Sequence, residues 1–153
     1  MGDVAAFPTL TRVLVSGDNV LPYTATTAVK AGMVVAIADA GASWAVDKAI
    51  KGSGQVPVGV ALYDAAAGAK VAVAGIGCVV YVVNALDGTN IDAGHTVIQD
   101  DNAIGGCVSE LLAVGTDATP QKIVGVLLED NTASASGGVS QCLITLGQVT
   151  AHA

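Results

Sequence analysis

Charge and aromatic rings are what this chain has least of. Charged residues make up 12% of the 153 positions and aromatic residues 3%, with one Phe, one Trp and three Tyr. The six bases, Arg12, Lys30, Lys48, Lys51, Lys70 and Lys122, are scattered, and no stretch interleaves them with aromatics. Nucleic-acid binding wants a basic stripe against the phosphates, so with a net charge of −7 a nucleic-acid partner is excluded. Cysteines are few: Cys78, Cys107 and Cys142 form an odd, widely spaced set rather than a disulfide framework. A reduced compartment fits them better, with one bridge left open. The two histidines, His95 and His152, lie far apart, and neither a nucleophile elbow nor a P-loop occurs. Val71 to Leu86, the longest uncharged apolar stretch, is too short to cross a bilayer. Met1-Gly2-Asp3-Val4-Ala5-Ala6 lacks the basic start of a secretory signal. The chain therefore reads as soluble, with no membrane partner.

What is abundant is small and β-branched. The apolar fraction is 52%, dominated by 27 Ala and 24 Val, with 19 Gly beside them. Val is stiff in a helix and suits a pleated surface, while Ala and Gly let backbones approach closely. One domain of this length buries roughly 70% of its unfolded surface.

The chain also says nearly the same thing twice. Gln55-Val56-Pro57-Val58-Gly59-Val60-Ala61-Leu62-Tyr63-Asp64 returns 66 positions later as Gln121-Lys122-Ile123-Val124-Gly125-Val126-Leu127-Leu128-Glu129-Asp130. Val29-Lys30-Ala31-Gly32 returns 62 positions later as Ile91-Asp92-Ala93-Gly94. A repeat of that length implies two similar supersecondary units, at about 24–84 and 86–147. Neither copy carries a nucleophile, an acid–base pair or a ligand cluster, which suits a structural protein.

Strand signals dominate both copies. Arg12 to Val15 and Asn19 to Tyr23 flank the turn Ser16-Gly17-Asp18. Further strands are expected at Met33–Ile37, Trp44–Val46, Val56–Leu62, Val71–Ala74 and Cys78–Val83, then Thr96–Ile98, Gly106–Ser109, Ile123–Leu128 and Ser140–Leu146. Gly75-Ile76-Gly77 reads as a close turn joining two strands. Single helical turns are expected at Asp64 to Gly68 and Glu110 to Val114. The class is all-β: a compact barrel or sandwich of two duplicated units, residues 16–153, preceded by an extended arm, residues 1–15. Phe7-Pro8 forces that arm into an extended path, to dock on its own domain or on a neighbour.

Candidate chemistry is thin. Gly75-Ile76-Gly77 opens like a dinucleotide fingerprint, but Val80 takes the third glycine position and no helix follows. Asp87, Asn90 and Asp92, or Asp100, Asp101 and Asn102, offer oxygens to calcium, yet Asp and Asn are equally turn residues. Asp47-Lys48-Ala49 resembles the modified-lysine turn of lipoyl and biotinyl carrier domains, without their acidic approach. A carrier with Lys48 modified stays an alternative, as does a surface adhesion or carbohydrate-binding module, although the rings are thinly spread for sugar platforms. No catalytic residue, cofactor or metal is assigned.

The order of motifs, Ser16-Gly17-Asp18, Thr24 to Val35, Val58 to Val73, Ile91 to Val97 and Ile123 to Glu129, resembles small capsid cement (decoration) proteins of tailed phages. That resemblance covers about Ser16 to Gly147; the Lys48 to Gln55 and Ala133 to Gly138 segments depart from it. It implies a non-enzymatic virion protein, made in the host cytoplasm, on the outer surface of an expanded phage head. There it would bridge major capsid subunits and stabilise them, as a closed homo-oligomer, most simply a homotrimer. The arm would then hold the capsid by strand addition, through Phe7, Pro8, Leu10, Arg12, Val13 and Leu14, with Phe7 the anchor.

Overall fold

A computed structural model describes residues 7–38, 43–49, 55–84, 90–99, 105–111, 121–131 and 138–149. The described residues form eleven strands and no helix, as an Ala-, Val- and Gly-rich chain with little helical periodicity should. In order they are β1 (Leu14–Ser16), β2 (Val20–Ala25), β3 (Val34–Ile37), β4 (Ala45–Lys48), β5 (Pro57–Ala61), β6 (Lys70–Ala74), β7 (Val79–Val83), β8 (Thr96–Gln99), β9 (Val108–Glu110), β10 (Gln121–Leu127) and β11 (Val139–Val149). Strands β2-β4-β3-β5-β6 close into a barrel, and β1-β7-β11-β10-β8-β9 make a six-stranded sheet.

The sequence repeat is a repeat of topology. The order β4-β3-β5-β6 of the barrel returns in the sheet as β9-β8-β10-β11. The bridge between Val29 and Ala65 returns as Ile91 with Asn131. Asp64 accepts the Ala31 N–H at 2.9 Å, and Asp130 accepts the Ala93 N–H at 2.9 Å. The Val-Gly-Val motif also has its reason. A Cβ on Gly59 would stand 1.9 Å from the Ala74 carbonyl oxygen, and one on Gly125 2.0 Å from that of Leu143. Both lie where strands cross too closely for any side chain. What differs is closure. β2 pairs parallel with β4 over two positions and completes the barrel, whereas β7 meets the β9 edge only at Asn84 and Val108.

The strand order places β7 with the second copy, whereas the motif spacing put it in the first. Gly75-Ile76-Gly77 is accordingly not a hairpin turn but the crossing from barrel to sheet, because β6 pairs with β2 and β5 while β7 pairs with β1 and β11. Nor do β1 and β2 pair across Ser16-Gly17-Asp18. The expected helical turn at Asp64–Gly68 is absent too. Asp64 is drawn across the barrel end to Ala31, and Ala65 is held by Val29. Glu110 ends β9, and residues 112–114 lie outside the described ones.

Two apolar clusters hold the structure. One fills the barrel with Tyr23, Met33, Val35, Val46, Val71 and Val73. The other joins barrel to sheet, packing Val34, Val60 and Ala74 with Val80, Val97, Val124 and Leu127, among others. A backbone clasp reinforces the join: Val34 N–H donates to the Gly106 oxygen at 2.9 Å, and Gly106 N–H to the Ala49 oxygen at 3.0 Å. The sheet therefore packs against the outer faces of β3, β5 and β6, whose alternate residues fill the barrel.

Candidate functional site

Low charge and small side chains leave the surface to carry whatever function there is, and three surface features stand out. The first is the N-terminal segment, which from Phe7 onward lies on its own domain. Phe7 is 2% exposed inside the barrel cluster, and Val13 is buried in the joining cluster. Leu10 and Phe7 cover the Gly32 turn: a Cβ there would meet Leu10 Cδ1 at 2.3 Å and Phe7 Cε1 at 3.7 Å. The segment ends as β1, with Leu14 opposite Val80 and the Val13 oxygen accepting the Tyr81 N–H at 2.9 Å. The physical reason is simple. The only Phe of a ring-poor chain heads its fully buried side chains by volume, and the barrel end needs a stopper. A free arm anchored elsewhere by Phe7 is thus corrected to an arm docked in cis. Pro8, Leu10 and Leu14 are half-buried. Thr9, Thr11 and Arg12 remain exposed, and they border a groove of about 280 Å³ with Tyr81 and Val139.

The second feature is the opposite end of the barrel, which stays apolar and uncovered. Leu21 at 43%, Ile37 at 45%, Trp44 at 58% and Ile76 at 57% exposed surround the nearly buried Tyr23. The Trp44 and Tyr23 rings meet at 5.4 Å between centroids, tilted by 49°. Trp44 holds φ at +60°, a conformation that large residues rarely adopt. A groove of about 200 Å³ beside Tyr23 continues toward Ile76 and Leu146. From its spacing, Trp44 opens a short strand. Its being the single Trp in a chain so poor in rings was the available signal; its outward position was not readable from spacing.

The third feature is the second copy's turn. Ala93, Gly94 and His95 are exposed, whereas their counterparts Ala31, Gly32 and Met33 are buried. His95 Nδ1 pairs with Glu110 Oε1.

Chemistry proposed elsewhere does not assemble. Lys48 lies within β4, not on a turn, and is 4% exposed, so it cannot swing out as a carrier lysine. The carrier alternative falls with it. Asp87, Asp100, Asp101 and Asn102 lie outside the described residues. Among the described residues no group of three or more His, Cys, Asp or Glu could hold a metal. Cys78, Cys107 and Cys142 are buried and none is in a disulfide, which closes the question of a bridge. Burial pushes the Cys142 thiol up to about 12, so it stays protonated and inert.

Residues 15–145 match the family model for phage cement protein. The chain belongs to the phage cement protein family. This cement protein is a phage structural protein, and its family and all-β fold agree with the resemblance drawn from its motifs. Among curated proteins, none matches it. Among solved structures, it is similar to the N base of head fiber gp8.5 of bacteriophage phi29. That likeness has a TM-score of 0.57 at 17% identity, covering 82% of this chain and 92% of that one, and is one of fold.

Proposed function

We propose that this cement protein binds the outer surface of an expanded phage head, bridges neighbouring major capsid subunits and stabilises the shell without catalysing any reaction. The observation that carries the reading is the family match over residues 15–145. The rest of the molecule supports it: a duplicated β framework and exposed apolar surface at the barrel mouth. The capsid contact is assigned to the exposed flank of the docked arm, Thr9, Thr11 and Arg12, with Tyr81 and Val139. The unit on the particle is a homo-oligomer, a trimer where the lattice offers three-fold sites.

Linkage sets how such a protein works. A ligand shifts an equilibrium only by its differential affinity for the two states, so it must prefer assembled, expanded shells to loose subunits. About 1–2 kcal/mol per site, a modest interface, becomes large over many sites that must fail together. The test is to strip particles of the protein, measure the temperature of DNA release and add the protein back. Restored resistance is expected. Equal release temperatures with and without the protein would refute the stabilising role.

A further inference from the structure

Each copy carries the same turn near its start, and among the described residues only the first of the two is covered. Ala31-Gly32-Met33 lies beneath Phe7 and Leu10 and beside Gly106. At the equivalent Ala93-Gly94-His95, nothing among the described residues comes within 4 Å of where a Gly94 Cβ would stand. His95 and Glu110 occupy the places of Met33 and Lys48, and their side chains are 48% and 41% exposed. The first copy shows the reverse imbalance at its mouth, where Leu21, Ile37 and Trp44 are exposed. One chain thus carries a bare glycine turn of the kind it elsewhere covers with an aromatic and a leucine. It also carries an aromatic face in need of a seat.

We propose that the Trp44 face of one molecule seats on the Ala93–His95 turn of a second copy, a head-to-tail contact between unlike surfaces. The proposal rests on reading the chain as a self-associating cement protein. The repeat supplies the precedent, since the first copy's turn is closed by this chain's own apolar side chains. Charge agrees with it. Leu21, Tyr23, Ile37, Ser43 and Trp44 are all uncharged, so they can approach Asp92 and Glu110 without like-charge repulsion, in a chain of net charge −7. Hydrogen bonding agrees as well. The Glu110 carboxylate has lone pairs beyond the one His95 engages, and the indole N–H of Trp44 is a donor only. A bare glycine turn lets a flat ring come close, and a seated Trp is the usual centre of such an interface. Because each molecule offers one face of each kind, the contacts continue from copy to copy and close into a ring where the rotation allows.

Two substitutions test the contact from its two sides. Trp44→Asn tolerates the positive φ and removes the ring; Ala93→Glu places a charge on the seat. Sedimentation should find the wild type oligomeric and each variant alone monomeric, with circular dichroism unchanged. Mixed in equal amounts, the two variants should form dimers and stop there, because one intact pair of faces remains between them. A monomeric wild type, or variants that assemble as the wild type does, would overturn the contact. So would a mixture that stays monomeric, and Trp44 faces pairing with each other would show as Ala93→Glu dimerising on its own. Particle binding, measured in parallel, separates this failure from that of the cement reading. A monomeric wild type that still decorates particles leaves cement function standing and removes the head-to-tail contact.

Discussion

Truncating Phe7 should cost about 3–5 kcal/mol, the range for deleting a fully buried aromatic, because its ring closes the barrel end over the Gly32 turn. Chemical denaturation of Phe7→Ala checks this, and an unchanged midpoint would mean the ring is dispensable. Asn131 makes the opposite case. Both polar atoms of its side chain are buried without a partner among the described residues, at the bridge position where the first copy carries Ala65. An unsatisfied buried amide costs about 1–3 kcal/mol, so Asn131→Ala should raise the melting temperature. Cys142 ties stability to alkali. Its thiol is held protonated up to about 12 in the fold, against 9.0 as the ordinary value. Between those values the unfolded chain releases a proton that the folded chain keeps. Its contribution is therefore complete below about pH 9 and drains away as pH rises toward 12. Cys142→Ala should flatten the fall in stability over that window, read as melting temperature against pH.

The strands show how far residue patterns reach. Val-rich runs bounded by Gly, Asp and Asn placed every described strand to within a few residues, because β-branched side chains and turn residues act locally. What spacing cannot carry is partnership. Gly75-Ile76-Gly77 looks like a hairpin turn, yet it passes from barrel to sheet, since β6 and β7 each find better edges elsewhere. Phe7 shows the same limit at the site. Its apolar weight was legible, but whether it stops its own barrel or a neighbour's surface depends on the Gly32 turn waiting for it. Lys48 was legible as a turn lysine and proved to be a buried strand residue, because register with Val35 decides its side. Equivalence between the copies is testable at this scale. Asp64→Ala and Asp130→Ala each remove one carboxylate–amide bond at the same place in the repeat. Each should lower stability by about 1 kcal/mol, with additive effects in the double variant, because the two bonds share no partner.

As a whole, the molecule meets its partners with little charge, so attachment to particles should survive salt that screens surface ion pairs. Cosedimentation with stripped heads at rising salt measures this, and release at moderate salt would point to an ionic contact instead. The backbone clasp from Gly106 to Val34 and Ala49 has a further consequence, one of timing. The barrel's last strand, β6, ends at Ala74, but the residue that ties the start of β3 to the chain leaving β4 is Gly106. At about 5–20 residues per second of synthesis, that residue arrives roughly 2–6 s later. During this interval the first half of the nascent chain is nearly built yet lacks the surface it leans on. A polypeptide ending at Gly77 should therefore show no cooperative melt. Ribosome-bound chains should become protease-resistant only after the second copy has emerged, with both halves locking together at once.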